Sequence, residues 1–447
     1  MKKNITVGKH TLESLTTGMY SDAKVIFREY IQNSVDSIES AISKNIIKRQ
    51  NAEINIKINK KKSELIFKDN GEGLSNNIAI KTLIDIGNSK KDPVNKVGFR
   101  GIGRLAGLGY CDSLTFMTTA VGENKKTILT YDAKKLDMFL MPGKYENYDL
   151  LRVIDEVTDY SIKDEKSNKH YFKVIMKGVK NYNNILDYNI VKNYISQVAP
   201  VPYNDNIFTF GEYITEKFND NGLAIKKYNI ILSDRDNQEK VNKKFSDNFV
   251  ASRTLKRNDN LKDIKICFIY KNDKIIAGLW YGISNYYGTI IDKSKKGLRL
   301  RKRNFQIGDR FTLKNIFKED RFSGWFQGEV HIFDNNILSN ARRDNFENNK
   351  KYQYLIRELK VIGDELSKKI RKISKKRNQI KKSKKVFEKL DILADKKEID
   401  TDYKILSLAD NIPNKDQKVL NKVFKIIDKE FEREEKDRVM RKILKNY

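Results

Sequence analysis

Two prolines one residue apart, in Ala199-Pro200-Val201-Pro202-Tyr203, are the strongest local constraint on this chain. Each removes a backbone donor and pushes its predecessor out of helix, so neither a helix nor a central strand can run through the segment. Only five prolines occur in 447 residues, which makes the pair a natural boundary for a first domain over 1–200. Within that stretch, Asp22 to Lys44 carries apolar residues at helical spacing, and Ala52 to Phe67 alternates as a strand pair around Asn59-Lys60-Lys61-Lys62. The expected class is α/β. Residues 201–346 hold strand-like runs at Tyr228 to Leu232, Ile264 to Tyr270, Ile275 to Tyr281 and Val330 to Phe333, and read as a second, α+β domain. From 347 to 447 there is one proline, Pro413, among Lys/Glu/Leu/Ile patterns without strand signals, so a helical, basic C-terminal region is expected.

At 39% hydrophobic and 33% charged the chain is polar, yet rich enough in Ile, Leu, Phe and Tyr to fold. No run approaches the roughly 20 apolar residues of a bilayer span, and no apolar signal region follows Met1-Lys2-Lys3-Asn4. A cytoplasmic protein with no membrane partner is expected. Cys111 and Cys267 each lack a neighbouring cysteine, and His10, His170 and His331 are the only histidines, which speaks against structural zinc. Both thiols read as buried packing residues.

The net charge of +30 would attract polyanions, but lysine is spread along the chain together with Asn and Ile, as an AT-rich genome alone would produce. Clusters are more telling than the total. Lys293, Lys295, Lys296, Arg299, Arg301, Lys302 and Arg303 form one acid-free run over 293–303. A second, over 368–385, holds Lys368, Lys369, Arg371, Lys372, Lys375, Lys376, Arg377, Lys381, Lys382, Lys384 and Lys385. Such density suits contacts to a nucleic-acid backbone without base readout. A solvated basic helix or an anionic membrane surface are the other readings of the second run.

Three short motifs carry chemistry. In Arg28-Glu29-Tyr30-Ile31-Gln32-Asn33-Ser34-Val35-Asp36, the residues Glu29, Asn33 and Asp36 share one helix face and could orient a water and hold a hard cation, or form a merely solvated face. After the strand Leu65-Ile66-Phe67 comes Asp69-Asn70-Gly71-Glu72-Gly73-Leu74, a carboxylate at a strand end with two glycines that let a flat ring approach the backbone, or an ordinary turn. Then Ser89-Lys90 leads to Gly98-Phe99-Arg100-Gly101-Ile102-Gly103-Arg104, where glycines ahead of a helix free backbone amides for phosphate oxygens. The glycine spacing fits neither a dinucleotide fingerprint nor a P-loop.

In this order the motifs resemble the GHKL superfamily of ATPases: gyrase, heat-shock protein 90, histidine kinase and MutL. The resemblance implies an N-terminal Bergerat fold and ATP with Mg2+ as its ligands. By it, Glu29 is the general base, Asn33 the magnesium ligand and Asp69 the acceptor of the adenine amine, with Asp36 beside them. Gly71 and Gly73 shape the adenine side, while Ser89, Lys90 and Gly98, Phe99, Arg100, Gly101, Ile102, Gly103 and Arg104 belong to the lid over the phosphates. The family's last pocket element, a Gly-Thr at a strand start, should fall near Lys169-His170-Tyr171-Phe172-Lys173-Val174 and is missing.

No dimerisation helices carry a phosphoacceptor histidine ahead of Arg28, so the histidine-kinase branch is disfavoured. Leu338-Ser339-Asn340-Ala341-Arg342-Arg343-Asp344 is similar to the segment of heat-shock protein 90 middle domains whose arginine reaches the γ-phosphate. It implies Arg343 in that role and a ribosomal S5-like transducer over 201–346, closest to prokaryotic heat-shock protein 90-like or MORC-like ATPases. A homodimeric clamp on DNA, strapped by residues 1–17, is then expected, in genome or anti-phage defence with a separately encoded effector. A chaperone remodelling a protein client is the alternative, and a slow ATP-gated binding module a third.

Overall fold

The computed structural model describes residues 7–15, 22–86, 103–252 and 254–395, with the backbone alone at 381 and 383–395. Its helices are α1 (His10–Leu15), α2 (Val25–Ser43), α3 (Asn76–Ile84), α4 (Ala133–Phe139), α5 (Leu150–Val157), α6 (Tyr188–Val198), α7 (Gly211–Asn219) and α8 (Lys350–Asp395). The first eight strands are β1 (Glu53–Asn59), β2 (Glu64–Asp69), β3 (Ser113–Thr119), β4 (Lys125–Asp132), β5 (Thr158–Asp164), β6 (Tyr171–Lys177), β7 (Asn229–Ser233) and β8 (Gln238–Lys240). They form one mixed sheet in the order β5-β4-β3-β6-β2-β1-β7-β8. The expected α/β architecture with a helical C-terminal part is observed.

Alternation explains the first hairpin. Ile54, Ile56 and Ile58 of β1 and Leu65 and Phe67 of β2 are buried, with Ile56 opposite Phe67. Helix α2 lies on this face: its Phe27 and Tyr30 rings sit 5.4 and 4.9 Å from Phe67. Burying each of these aromatics contributes roughly 1.5–3 kcal/mol. Helices α4, α5 and α6 start at Asp132, Asp149 and Asp187, whose carboxylates accept from the backbone N–H three residues on.

The proline pair does not end the first sheet. Strand β7, expected in the second domain, pairs in parallel with β1, Ile54 beside Ile230, and β8 extends the edge. Pro200 and Pro202 keep their carbonyls, which accept from Tyr228 N (3.0 Å) and Lys243 N (2.8 Å), so the donor-poor segment is tied to the returning chain. Residues 1–361 form one compact unit. The division at 200 therefore separates stretches of sequence, not closed sheets.

Strands β9 (Asn248–Ala251) and β10 (Arg257–Asn260) make a ribbon, while β11 (Asp263–Lys271), β12 (Lys274–Ile283), β13 (Gly297–Lys302), β14 (Phe305–Gln306) and β15 (Gln327–Ile332) form a second sheet, ordered β11-β12-β15-β13-β14. Cys111 is buried, whereas Cys267 on β11 is half-buried.

The second sheet overturns one expectation. The basic run 293–303 is not a surface cluster: Lys296, Arg299 and Arg301 are buried, Lys295, Lys302 and Arg303 half-buried, and Lys293 alone is exposed. Arg299 donates to the Lys293 and Ser294 carbonyls. Arg301 pairs with Glu329, fully buried on β15, which also receives Lys243 Nζ (2.7 Å), Tyr203 Oη (2.8 Å), His331 Nε2 (3.1 Å) and Trp280 Nε1 (3.3 Å). Burial alone would raise the Glu329 carboxyl, but Arg301 and Lys243 outweigh it and hold it well below the usual range. Arg301 and Lys243 neutralise an internal charge and are not offered to a polyanion.

Burial pushes the His331 imidazole down to about 4 from an ordinary 6.5, against the pull of Glu329. Between those values the unfolded chain binds one more proton than the folded one, so stability is lost as pH falls through that window, by about 3 kcal/mol at most. Thermal midpoints taken from pH 7.5 to 4.5 are expected to fall more steeply for the wild type than for His331→Gln. Equal slopes would mean that His331 is not the titrating group.

Helix α8 begins in the first unit, and the second unit, 362–447, is described only as its continuation to Asp395. Along it Lys368, Lys369, Arg371, Lys372, Lys375, Lys376 and Lys382 are exposed. Among the described residues no helix is long and apolar enough to cross a membrane.

Candidate functional site

Helix α2 carries the site, and it is buried on more than its apolar side. Arg28, Glu29, Gln32, Ser34 and Asp36 are all buried, because the helix packs on the first sheet and is covered by the segment Gly103–Tyr110, by α6 and by the turn at Arg342–Arg343. Glu29 is 4% exposed and faces two guanidinium groups: Arg28 Nε lies 3.6 Å from Oε1 and Arg343 Nη2 lies 3.6 Å from Oε2. Both distances exceed a direct hydrogen bond, and Oε1 has no hydrogen-bond partner. A carboxylate so placed is charge-compensated yet keeps an acceptor for a water or a ligand.

Asn33, one turn further, is half-buried and makes no side-chain hydrogen bond among the described residues, which leaves its amide oxygen available to a hard cation. Asp36 is buried at the wall of a cavity of about 300 Å³ whose far side includes Lys302, Asn304 and His331. It thus borders the second sheet as well as its own helix. No cluster of three or more His, Cys, Asp or Glu groups that could hold a metal occurs among the described residues.

The turn after β2 is built from close approaches. Asp69 is 2% exposed, and its Oδ1 accepts from Gly71 N at 3.0 Å. A Cβ at Gly71 would fall on Ser37 of α2, and Glu72 N donates to the Ser37 carbonyl at 3.1 Å, so the turn presses directly on the helix. Gly73 has φ +71°, and a Cβ there would fall on the Thr119 carbonyl. Only glycine satisfies both demands. Leu74 N then donates to Thr118 Oγ1 at 2.7 Å.

Of the glycine-rich stretch, Ser89, Lys90, Gly98, Phe99, Arg100, Gly101 and Ile102 lie outside the described residues. Its end is a 3₁₀ helix over Gly103–Tyr110. Gly103 abuts Glu29, where a Cβ would fall on Oε2, and Gly107 N donates to Tyr30 Oη at 3.0 Å, fastening the segment to α2. Arg104 turns elsewhere: its Nε donates to the Leu83 carbonyl at 3.3 Å at the end of α3, and burial lowers its guanidinium pKa. This arginine caps a helix.

Arg343 stands in a turn with φ +56°, held by Asn340 Nδ2 donating to Asp344 Oδ1 at 2.6 Å and by Arg343 N donating to the Asn340 carbonyl at 3.1 Å. Arg28 donates to the Arg342 and Arg343 carbonyls at 2.8 and 3.5 Å. A positive φ is strained for a residue with a long side chain. Here it directs the guanidinium toward Glu29, and the strain sits where the two ends of the unit meet. Arg28 and His170, which reaches the turn after β2, were not singled out from sequence; Arg28 is next to Glu29, and His170 lies in the stretch 169–174 near which the Gly-Thr was expected.

A helix carboxylate, a strand-end aspartate in a double-glycine turn and the segment Gly103–Tyr110 all lie on or against α2, the arrangement expected of a nucleotide site of the GHKL kind. Residues 20–162 match the family model described as histidine kinase-, DNA gyrase B-, and HSP90-like ATPase. Residues 20–162 thus resemble an ATPase domain of this type. The chain is also similar to chaperone protein HtpG of Rickettsia typhi (strain ATCC VR-144 / Wilmington), 25% identical over 166 residues, which covers 33% of this chain. The match takes in 26% of that chaperone's length.

Proposed function

We propose that this chain hydrolyses ATP to drive a homodimeric clamp that closes on the backbone of DNA. The observation that carries the hydrolytic reading is the approach of Arg343 to Glu29 at 3.6 Å, across 314 residues of chain. In this reading Glu29 takes a proton from the attacking water, and Arg343, a planar guanidinium suited to spreading phosphoryl charge, leaves the carboxylate for the γ-phosphate. Asp69 accepts from the adenine amine while Gly71 and Gly73 leave room for the ring. Asn33 would hold Mg2+, which supplies charge neutralisation at the phosphates. Ser89, Lys90 and the glycines from Gly98 to Gly103 cover them by family resemblance.

The DNA reading now rests on α8 alone. Its exposed cations over 368–382 span about 20 Å of helix at 1.5 Å per residue, a length that meets several phosphates. A cytoplasmic role in genome or anti-phage defence, with an effector encoded elsewhere, extends this reading. The likeness to a chaperone favours a second one, in which the clamp acts on a protein client.

ATP turnover measured with and without duplex DNA separates them. The clamp reading expects stimulation that is lost when Lys368, Lys372 and Lys375 are changed to Glu, with basal turnover retained. For about six phosphate contacts the DNA affinity should fall roughly a thousand-fold between about 50 and 200 mM salt. Turnover indifferent to DNA in wild type would remove the nucleic acid and leave the chaperone reading.

A further inference from the structure

His170 precedes β6, 99 residues from the turn after β2, and its Nδ1 lies 2.7 Å from the Gly71 carbonyl. A carbonyl only accepts, so Nδ1 carries the proton. Gly71 is the centre of that turn. Its N–H goes to Asp69 Oδ1, its Cα presses on Ser37, and its carbonyl is taken by the imidazole. The next residues are fixed by backbone and hydroxyl groups: Glu72 N on the Ser37 carbonyl, and Leu74 N on Thr118 Oγ1, which itself donates to the Tyr171 carbonyl at 3.1 Å. The imidazole is thus the one long side chain that reaches Gly71 from a distant part of the chain among these contacts. It lies in the stretch 169–174, near which the family resemblance leads one to expect a Gly-Thr.

We infer that His170 is a positioning residue for the base: by holding the Gly71 peptide it fixes the Asp69 carboxylate in the direction from which an exocyclic purine amine is recognised. The inference rests on Asp69 being the base acceptor. His170 does not touch the reacting phosphates, so its loss should act on binding of the base and not on the chemical step. A hydrogen bond of this kind alters an equilibrium by a few-fold to about ten-fold.

The test compares ATP with purine riboside triphosphate, which lacks the 6-amine, in steady-state turnover. His170→Ala is expected to raise KM for ATP about 3- to 10-fold with kcat unchanged, and to leave KM for the amine-free nucleotide where it was. His170→Asn, whose amide can donate over a similar distance, should restore the preference for ATP. Should His170→Ala lose its thermal transition, His170→Gln carries the same comparison. Equal effects on both nucleotides, a fall in kcat alone, or no effect would each overturn the inference. Asp69→Asn distinguishes the underlying reading: if it leaves discrimination between the two nucleotides intact, Asp69 is not the base acceptor, whatever His170 does.

Discussion

Replacing Glu29 by glutamine is expected to lower ATP turnover roughly 100- to 10,000-fold, with nucleotide affinity changed by less than about three-fold. The amide keeps the shape that rests against Gly103 and remains between Arg28 and Arg343, but it cannot accept a proton from water. Glutamine is the informative substitution. Alanine would remove the carboxylate from between two guanidinium groups that are each under a tenth exposed, and a loss of turnover could then arise from rearrangement. Single-turnover hydrolysis measured beside calorimetric binding of ATP makes the separation. A variant hydrolysing within ten-fold of wild type would place the base elsewhere.

The second large effect concerns stability. Glu329→Ala should destabilise the fold by about 3–5 kcal/mol, because it strands Arg301 and Lys243 in the interior and removes the acceptor of Tyr203, Trp280 and His331. Against a typical total of about 5–15 kcal/mol, that is a large share. Urea titration followed by tryptophan fluorescence is suitable, since Trp280 is part of the network. Changing Glu329, Arg301 and Lys243 together to Leu, Met and Met should recover much of the loss. A Glu329→Ala midpoint within about 1 kcal/mol of wild type would show that the network contributes little.

The sequence made legible what is local. Helix α2 announces itself by apolar spacing, the β1–β2 hairpin by alternation, and the turn at Asp69 by two glycines whose close approaches are steric necessities. Arg343, singled out through its short segment as a γ-phosphate contact, lies 3.6 Å from Glu29, a proximity that its segment alone did not announce. What failed was the reading of charge. In β13, Leu298 and Leu300 alternate with Arg299 and Arg301, a pattern that normally puts the arginines in water. The neighbouring β15 runs parallel, with Glu329 beside Arg299 and His331 beside Arg301, so the polar face meets another polar face inside the protein. The alternation Gln327, Glu329, His331 was the available signal, but a charge count has no direction. The pairing of β7 with β1 was out of reach for another reason: nothing in either strand names a partner so distant in the chain.

That pairing also sets an order on biosynthesis. A ribosome that has released β1 must add about 170 residues before β7 exists, roughly 10 to 30 seconds at about 5–20 residues per second. Throughout that interval the flank of β1 that β7 will occupy is an open row of donors and acceptors, available to any extended segment nearby. Glu53 and Lys57 stand on the face opposite the buried isoleucines, so the waiting strand carries charge along its length, a feature that disfavours pairing with stray segments.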